Sequence, residues 1–369
     1  PVSKAVGEQV AAESLPGVTA RSLWIREYPE GRLASHVLGF CTLEEVCRCF
    51  YGVEGFYDLL LRPDEVTSTE DVASPDPGAP WLGPPVVFAD PPTELMLSID
   101  RDIQMMAEQE LARSVHAYQA QGGTVIVMDP HTFGILAMAS LPDYAPGRYY
   151  DFGDQTPSPF EDPAISQQYE PGSVFKIVTV AAALDSGVVA PDTTYDDQGE
   201  IEVGGQVIMN ASREAYQEQT VTDVLVKSLN VGTAWLSTKM GANTFYRYVW
   251  DFGFGQATGV DLMGEVQGQF WLPGDVEHWH DSNLGTNSFG QGLAVTPLQM
   301  ATAVATVANG GERLRPHVVS RRINPDGTTF VHQPVPVARA ISPHTADQLT
   351  EMMVRVVEEG APKARVEGY

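Results

Sequence analysis

The sequence predicts an α+β protein in two parts: a small N-terminal region and a larger one built from antiparallel strands and helices. Three observations carry that prediction. Two apolar runs, Thr124-Val125-Ile126-Val127-Met128-Asp129 and Ile135-Leu136-Ala137-Met138-Ala139-Ser140, flank the turn-prone Pro130-His131-Thr132-Phe133-Gly134 and read as a β-hairpin. Several segments of helical spacing follow it. Residues 62–93 are rich in Pro, Asp and Gly, with Pro84-Pro85 and Pro91-Pro92, and read as a linker. The expected division is 1–92 and 93–369.

Within the first part, Ser22 to Tyr28 is a candidate strand leading to the turn Pro29-Glu30-Gly31. After the linker, Leu95 to Ser98 suggests a short strand, and Asp100 is a good cap for the helix that follows. In that helix Ile103, Met106, Ala107, Leu111, Val115 and Tyr118 recur at helical spacing, with Gly122-Gly123 as the stop. The apolar runs of the hairpin imply a sheet buried on both faces. Helices are expected over 221–228, 231–240 and 243–250. Thr296-Pro297-Leu298-Gln299 is a full capping box, and opens a helix to Asn309 that Gly310-Gly311 closes. Strands over 318–323 and 328–331 embrace Asn324-Pro325-Asp326-Gly327, and Ser342-Pro343 starts a last helix to about Glu359.

Composition narrows the function. The chain has 369 residues, room for two domains or one large one, and 43% hydrophobic residues, enough for a sizeable core. A formal net charge of −26 argues against nucleic acid and against charge-driven binding to an anionic membrane. Cys41, Cys47 and Cys49 are odd in number and clustered, and no histidine pair completes a zinc site. They are expected to be structural or incidental thiols, with no metal or other cofactor. No run of about 18 apolar residues is present, and the opening residues do not read as a signal peptide. The chain begins at Pro1 in what reads as mid-domain sequence, so a fragment is expected. His278 and His280, either side of Trp279, read as a solvated loop, and Asn210-Ala211-Ser212 as a chance sequon.

One stretch stands out chemically. After Pro171-Gly172, Ser173 opens a helix that is apolar on every side until Gly187, which marks it as buried all round. Lys176 is the anomaly. It lies three residues from Ser173, so the two side chains share a face. A serine at the positive end of the helix dipole favours a developing alkoxide, and burial disfavours the charged lysine, leaving a base. The plainer reading makes Ser173 a cap and lets Lys176 reach water. A second motif, Ser228-Leu229-Asn230, sits between two helices and could place a hydroxyl relay and an amide in one cleft.

Together, Ser173-Val174-Phe175-Lys176 and Ser228-Leu229-Asn230 resemble the serine–lysine signature of penicillin-binding proteins. Three further stretches carry the likeness. The hairpin from Gly123 to Ser140 is similar to the family's first transpeptidase hairpin. Asn287-Ser288-Phe289-Gly290-Gln291-Gly292, with Thr296-Pro297-Leu298-Gln299, resembles its Gly-Gln-Gly strand and the helix after it. Arg26-Glu27-Tyr28-Pro29, His36-Val37-Leu38-Gly39 and Gly52-Val53-Glu54-Gly55 resemble its pedestal domain. The whole chain thus resembles a class B high-molecular-mass penicillin-binding protein: a transpeptidase domain of the penicillin-binding/β-lactamase-like fold, plus a smaller N-terminal pedestal.

The resemblance implies a peptidoglycan D,D-transpeptidase that works through a serine acyl-enzyme and is a target of β-lactams. Ser173 would be nucleophile, Lys176 general base, Ser228 a proton relay, and Asn230 a substrate-backbone ligand that helps orient Lys176. Gly290, Gln291 and Gly292 would line the substrate site. Ser173's own N–H is one expected oxyanion donor. The family's third motif, Lys-Thr/Ser-Gly, is absent before Tyr369, so truncation is expected, with slow acylation of a chain ending there. The stretch from Cys41 to Phe50 departs from the glycine-rich segment usual in the pedestal. A membrane anchor, an extracytoplasmic catalytic domain, and partners in the division or elongation machinery are implied as well. A class D-like β-lactamase or sensor, and a non-catalytic scaffold of the same fold, are the alternatives.

Overall fold

The computed structural model describes residues 4–13, 15, 25–43, 48–61, 93–152 and 158–367. The expected linker therefore lies almost wholly outside the described residues, as do Cys47 and Ser22 to Trp24. Ile25 to Tyr28 are described and form no strand.

The hairpin forms as expected, Gly123–Met128 against Ile135–Leu141, with Thr124 opposite Ser140 and Ile126 opposite Met138. Its two strands are not equally covered. Ile135–Leu141 is mostly buried, whereas Gly123–Met128 is half-buried throughout. The helix Arg101–Tyr118 lies across Ile135–Leu141, packing Ala107 and Leu111 on Ala137 and Ala139. Gln104, fully buried, turns its amide onto the strand: it donates to Met138 O at 3.0 Å and accepts from Met138 N at 2.8 Å. A side chain thereby pairs with the strand backbone as a neighbouring strand would. Asp100 caps the helix through Asp102 N and Ile103 N, and the helix stops at left-handed Gln119, before Gly122.

Glu94–Leu97, Val319–Ile323 and Thr329–Val331 form a three-stranded antiparallel sheet with Val319–Ile323 in the middle. His317 ties this sheet to the hairpin, accepting from Ile135 N at 2.9 Å and donating to Phe133 O at 3.1 Å. Residues 34–38 and Val53 add to the same packing. Ala34, Val37 and Val53 share a core with Ile135, Met138, Ile165, Leu262, Leu298 and Val318. Arg32 grips Asp143, and Arg101 grips Glu30 through both guanidinium arms.

Cys41 and Cys49 correct the expectation of free thiols. Phe40–Cys41 and Cys49–Phe50 pair antiparallel with the two cysteines opposite one another, and they form a disulfide. An odd count does not forbid one pair, and only the strand register reveals which two.

The main core surrounds the helix Lys176–Asp185, whose residues 176–184 are all buried. Helices Val221–Val226, Asn230–Met240, Ala242–Asp251 and Pro343–Arg355 pack around it, close to their expected bounds. Pro297–Ala308 begins at the expected capping box: Thr296 Oγ1 accepts from Gln299 N, and Gln299 Oε1 accepts from Thr296 N. The last helix continues only to Arg355 and then widens into a π turn over Val356–Gly360. Asp185 fastens the far end of the central helix. Its carboxylate accepts from Ser342 N at 2.7 Å, Thr345 Oγ1 at 2.9 Å and Tyr248 Oη at 2.8 Å. Burial alone would raise this carboxyl's pKa, yet those hydrogen bonds outweigh it and hold the pKa below its usual value.

Alanines 181, 182 and 183 are fully buried where the helices approach the central one. Extra volume there has nowhere to go. Ala181→Leu is expected to cost about 1–3 kcal/mol, read as a lower urea midpoint with an unchanged denaturant slope.

Candidate active site

The turn before Ser173 is fixed from one side by residues 290–295. Tyr169 and Val295 exchange backbone hydrogen bonds of 2.9 and 3.0 Å, and Glu170 Oε1 accepts from Gly292 N at 2.8 Å. Gly172 N donates to Gly290 O at 3.0 Å. The approach is so close that a Cβ on Gly290 would stand 2.3 Å from Gly172 O, and its φ of +79° is one that L side chains rarely adopt. Here the structure departs from the expected Gly-Gln-Gly strand. Gly290, Gln291 and Gly292 form a turn after the short helix Asn283–Asn287, because both glycines hold positive φ. Gly290 and Gly292 lie beside the serine turn, against Gly172 and Glu170.

Gly172–Phe175 winds as a 3₁₀ turn and the α-helix proper begins at Lys176. The all-round burial expected of this stretch holds from Phe175 onward. Ser173 and Val174 are exposed. Phe175, fully buried against Phe254, anchors the turn, and Thr179 Oγ1 donates to Ser288 O at 2.6 Å one turn later.

Lys176 is 1% exposed. Its Nζ donates to Ser228 O at 2.5 Å and to Ser228 Oγ at 3.0 Å. Among the described residues no carboxylate forms an ion pair with it, and no hydrogen bond links it to the Ser173 hydroxyl. A buried amine must spend its donors, and Ser228 offers it two acceptors. Uncompensated burial lowers the Lys176 pKa to about 7, so near neutrality much of it is an unprotonated amine.

Ser228 lies between Val221–Val226 and Asn230–Met240, at a φ of +55°. A serine in this region carries a strain of about 1–2 kcal/mol. The helix before it is capped by a reciprocal box, Thr220 with Asp223, that the sequence reading passes over. Asn230, the first residue of the next helix, does not orient Lys176 as expected. Its Nδ2 donates instead to Met209 O at 3.1 Å, because Gln206–Met209 runs past the helix start. Asn210, set aside as a chance sequon, is buried and structural. Its Oδ1 accepts from Val231 N at 3.2 Å, and its Nδ2 donates to both oxygens of buried Asp197, at 2.9 and 3.1 Å. Only strand pairing brings that pair to the helix start, so no local signal announces it.

The geometry thus gathers an exposed serine in a helix-opening turn, a neutralisable buried lysine one turn on, and a second serine on that lysine. A family model described as the penicillin binding protein transpeptidase domain matches residues 123–369. The chain belongs to the penicillin-binding protein transpeptidase family.

Across its whole length the chain is 33% identical to penicillin-binding protein PbpB of Mycolicibacterium smegmatis, covering 57% of that protein. It is 32% identical to stage V sporulation protein D of Bacillus subtilis, and 30% identical to peptidoglycan D,D-transpeptidase FtsI of Escherichia coli, covering 56% and 59% of them. It therefore spans a little over half the length of these curated relatives. Penicillin binding protein 3 of Mycobacterium tuberculosis, in its apo form, matches with a TM-score of 0.79 at 31% identity, over 94% of this chain and 74% of that one. Its complex with aztreonam matches at 0.78 and 30%, over 94% and 73%. Among the described residues of this penicillin-binding protein family member, no helix is long and apolar enough to cross a membrane.

Two outcomes follow from the strained, uncompensated pieces of this site. Ser228→Gly relieves the backbone by about 1 kcal/mol but deprives the buried Lys176 amine of a hydrogen bond, so the two effects are expected to offset each other to within about 1 kcal/mol, measured by urea unfolding alongside any acylation assay. Lys176 titrates near 7 in the fold and near 10.5 unfolded, a difference equivalent to roughly 5 kcal/mol. Below about pH 7 the fold must bury the ammonium and bears that whole cost, which fades as pH rises towards 10.5. Lys176→Met should therefore stabilise most at pH 6, with the gain shrinking by pH 10 in thermal melts.

Proposed function

We propose that this chain carries the acyl-transfer centre of a peptidoglycan D,D-transpeptidase, with Ser173 as nucleophile and Lys176 as its base. The observation that carries the reading is the buried Lys176 amine, titrating near 7 without a carboxylate partner, one turn from an exposed serine. A serine with no histidine beside it needs another base, and an amine of this pKa suits work at neutral pH. FtsI of Escherichia coli is itself named a peptidoglycan D,D-transpeptidase, and the Mycobacterium tuberculosis protein was solved with aztreonam and with ampicillin.

On this reading the Ser173 hydroxyl gives its proton to Lys176, directly or through the Ser228 hydroxyl. Its oxygen bonds to the carbonyl between two terminal D-alanines. The carbon–nitrogen bond breaks, D-alanine leaves with a proton relayed by Ser228, and the amine of a second stem peptide resolves the ester. The Ser173 N–H lies in the first turn, where a helix offers no internal acceptor, and can hold the oxyanion. Gly290, Gln291 and Gly292, beside the serine turn, would border the peptide, and Asn230 would meet its backbone. The enzyme would act outside the cytoplasm, anchored to the membrane and partnered with division or elongation proteins.

Labelling with a fluorescent penicillin tests this in the protein isolated from its host. Ser173→Ala should abolish the label, and peptide mapping should place the adduct on Ser173. The acylation rate should climb through pH 7 as Lys176 loses its proton. Ser228→Ala should retain the acylation site but slow the reaction, on the order of 10²-fold. An adduct on any other residue, or a rate flat from pH 5 to 9, would sink the assignment.

A further inference from the structure

A second concavity lies beside the chain that enters the serine turn. It has a volume of about 700 Å³, within the range of ligand-binding clefts. Trp250, Phe270 and Trp271 line it together with Gln168, Gln267 and Gln269. Gln269 and Ala294 exchange two backbone hydrogen bonds of 2.7 Å, and the next residue, Val295, pairs with Tyr169. The groove wall is thus registered, through two neighbouring residues, to the segment that carries Ser173. Gln168 precedes Ser173 by five residues, a reach of at most about 18 Å.

Its surface carries little charge although the chain carries a net charge of −26. No lysine or arginine lines it, and its one carboxylate, Glu265, is already taken up by Thr258 N at 2.7 Å, Thr258 Oγ1 at 2.5 Å and Gly259 N at 3.0 Å. The side-chain amides of Gln168, Gln267 and Gln269 are exposed and have no hydrogen-bond partner among the described residues. The rings are held in place. Phe270 lies parallel to Tyr246, and a Cβ on Gly255 would stand 2.5 Å from the Phe270 ring, so only glycine admits it. Trp271 stacks on His278 at 4.2 Å, and Trp250 is 49% exposed.

Fixed aromatic faces beside unspent amides suit a ligand with apolar C–H faces and many neutral hydrogen-bonding groups. An acidic peptide or a phosphate polymer would call for a cation. A purely apolar segment would bury three amides unpaired, at a cost of about 1–3 kcal/mol each. We propose that this groove binds the neutral amino-sugar backbone of the glycan strand whose stem peptide is presented to Ser173. The identity of the sugar rests on the transpeptidase reading, whereas the groove's preference for a neutral saccharide rests on its own residues.

A β-1,4-linked N-acetylglucosamine tetramer is the probe, titrated against tryptophan fluorescence. Saturable binding is expected, weakened about tenfold by Trp271→Ala and largely retained by Trp271→Phe, which keeps a stacking face. Gln267→Ala, at an exposed position that does not threaten folding, should weaken it as well. Ser173→Ala should bind the tetramer as the unaltered protein does. Absence of penicillin labelling in the unaltered protein would therefore overturn the transpeptidase reading while leaving the groove standing. Absence of saturable binding at millimolar sugar, or an affinity in Trp271→Ala and Gln267→Ala unchanged from that of the unaltered protein, would overturn the groove whatever the labelling shows.

Discussion

The site depends on the contact between the Lys176 amine and Ser228. It joins two segments 52 residues apart by two hydrogen bonds, and it is the reason a lysine can remain inside an apolar core. A carboxylate partner would have held the lysine charged and useless as a base. Two neutral acceptors on one serine hold the amine but bring no negative charge to offset its burial, so desolvation brings the pKa down. Ser228 makes this contact at positive φ, with its carbonyl and its hydroxyl both on the amine. Strain at this serine and desolvation of this lysine are two sides of one arrangement.

A costly site needs a rigid frame, and the frame is layered around the central helix. Its middle is buried on every side, its far end is pinned by Asp185 to two other helices, and its near end is held by the Gly172–Gly290 approach. What stays exposed is Ser173 with Val174, at the one point where the helix opens to solvent. Glu170 and Tyr169, tied to Gly292 and Val295, fix the chain that enters that opening turn.

Local signals made much of this legible. The hairpin, the Thr296 capping box and the buried character of the serine helix depend on residues within one or two turns of each other, and each appears close to its expected bounds. Contacts between distant segments were not legible. Nothing in Ser228-Leu229-Asn230 says that the lysine will choose Ser228, or that Asn230 will turn to Met209 O. The Cys41–Cys49 pairing needs a strand register, and Gly290's role needs the backbone it approaches. One miss had a signal: Val203-Gly204-Gly205-Gln206 is a two-residue hairpin turn. Its strands, Glu200–Val203 and Gln206–Met209, are only four residues each and mostly exposed, so no apolar alternation frames it.

The charge distribution fits the same logic. A net charge of −26 would tend to hold any buried lysine protonated if carboxylates stood near it. The acids that approach the central helix are instead committed elsewhere: Asp185 to Ser342, Thr345 and Tyr248, Asp197 to Asn210, Asp223 to Thr220. Each is satisfied by hydrogen-bond donors at a helix end or a turn, with Lys227 also 3.8 Å from Asp223, and there it strengthens the frame. The acidity of the chain is thereby kept out of the one pocket in which it would defeat the chemistry. Structural carboxylates and a neutral amine coexist within a single core because hydrogen bonds, not proximity alone, decide which charges each group feels.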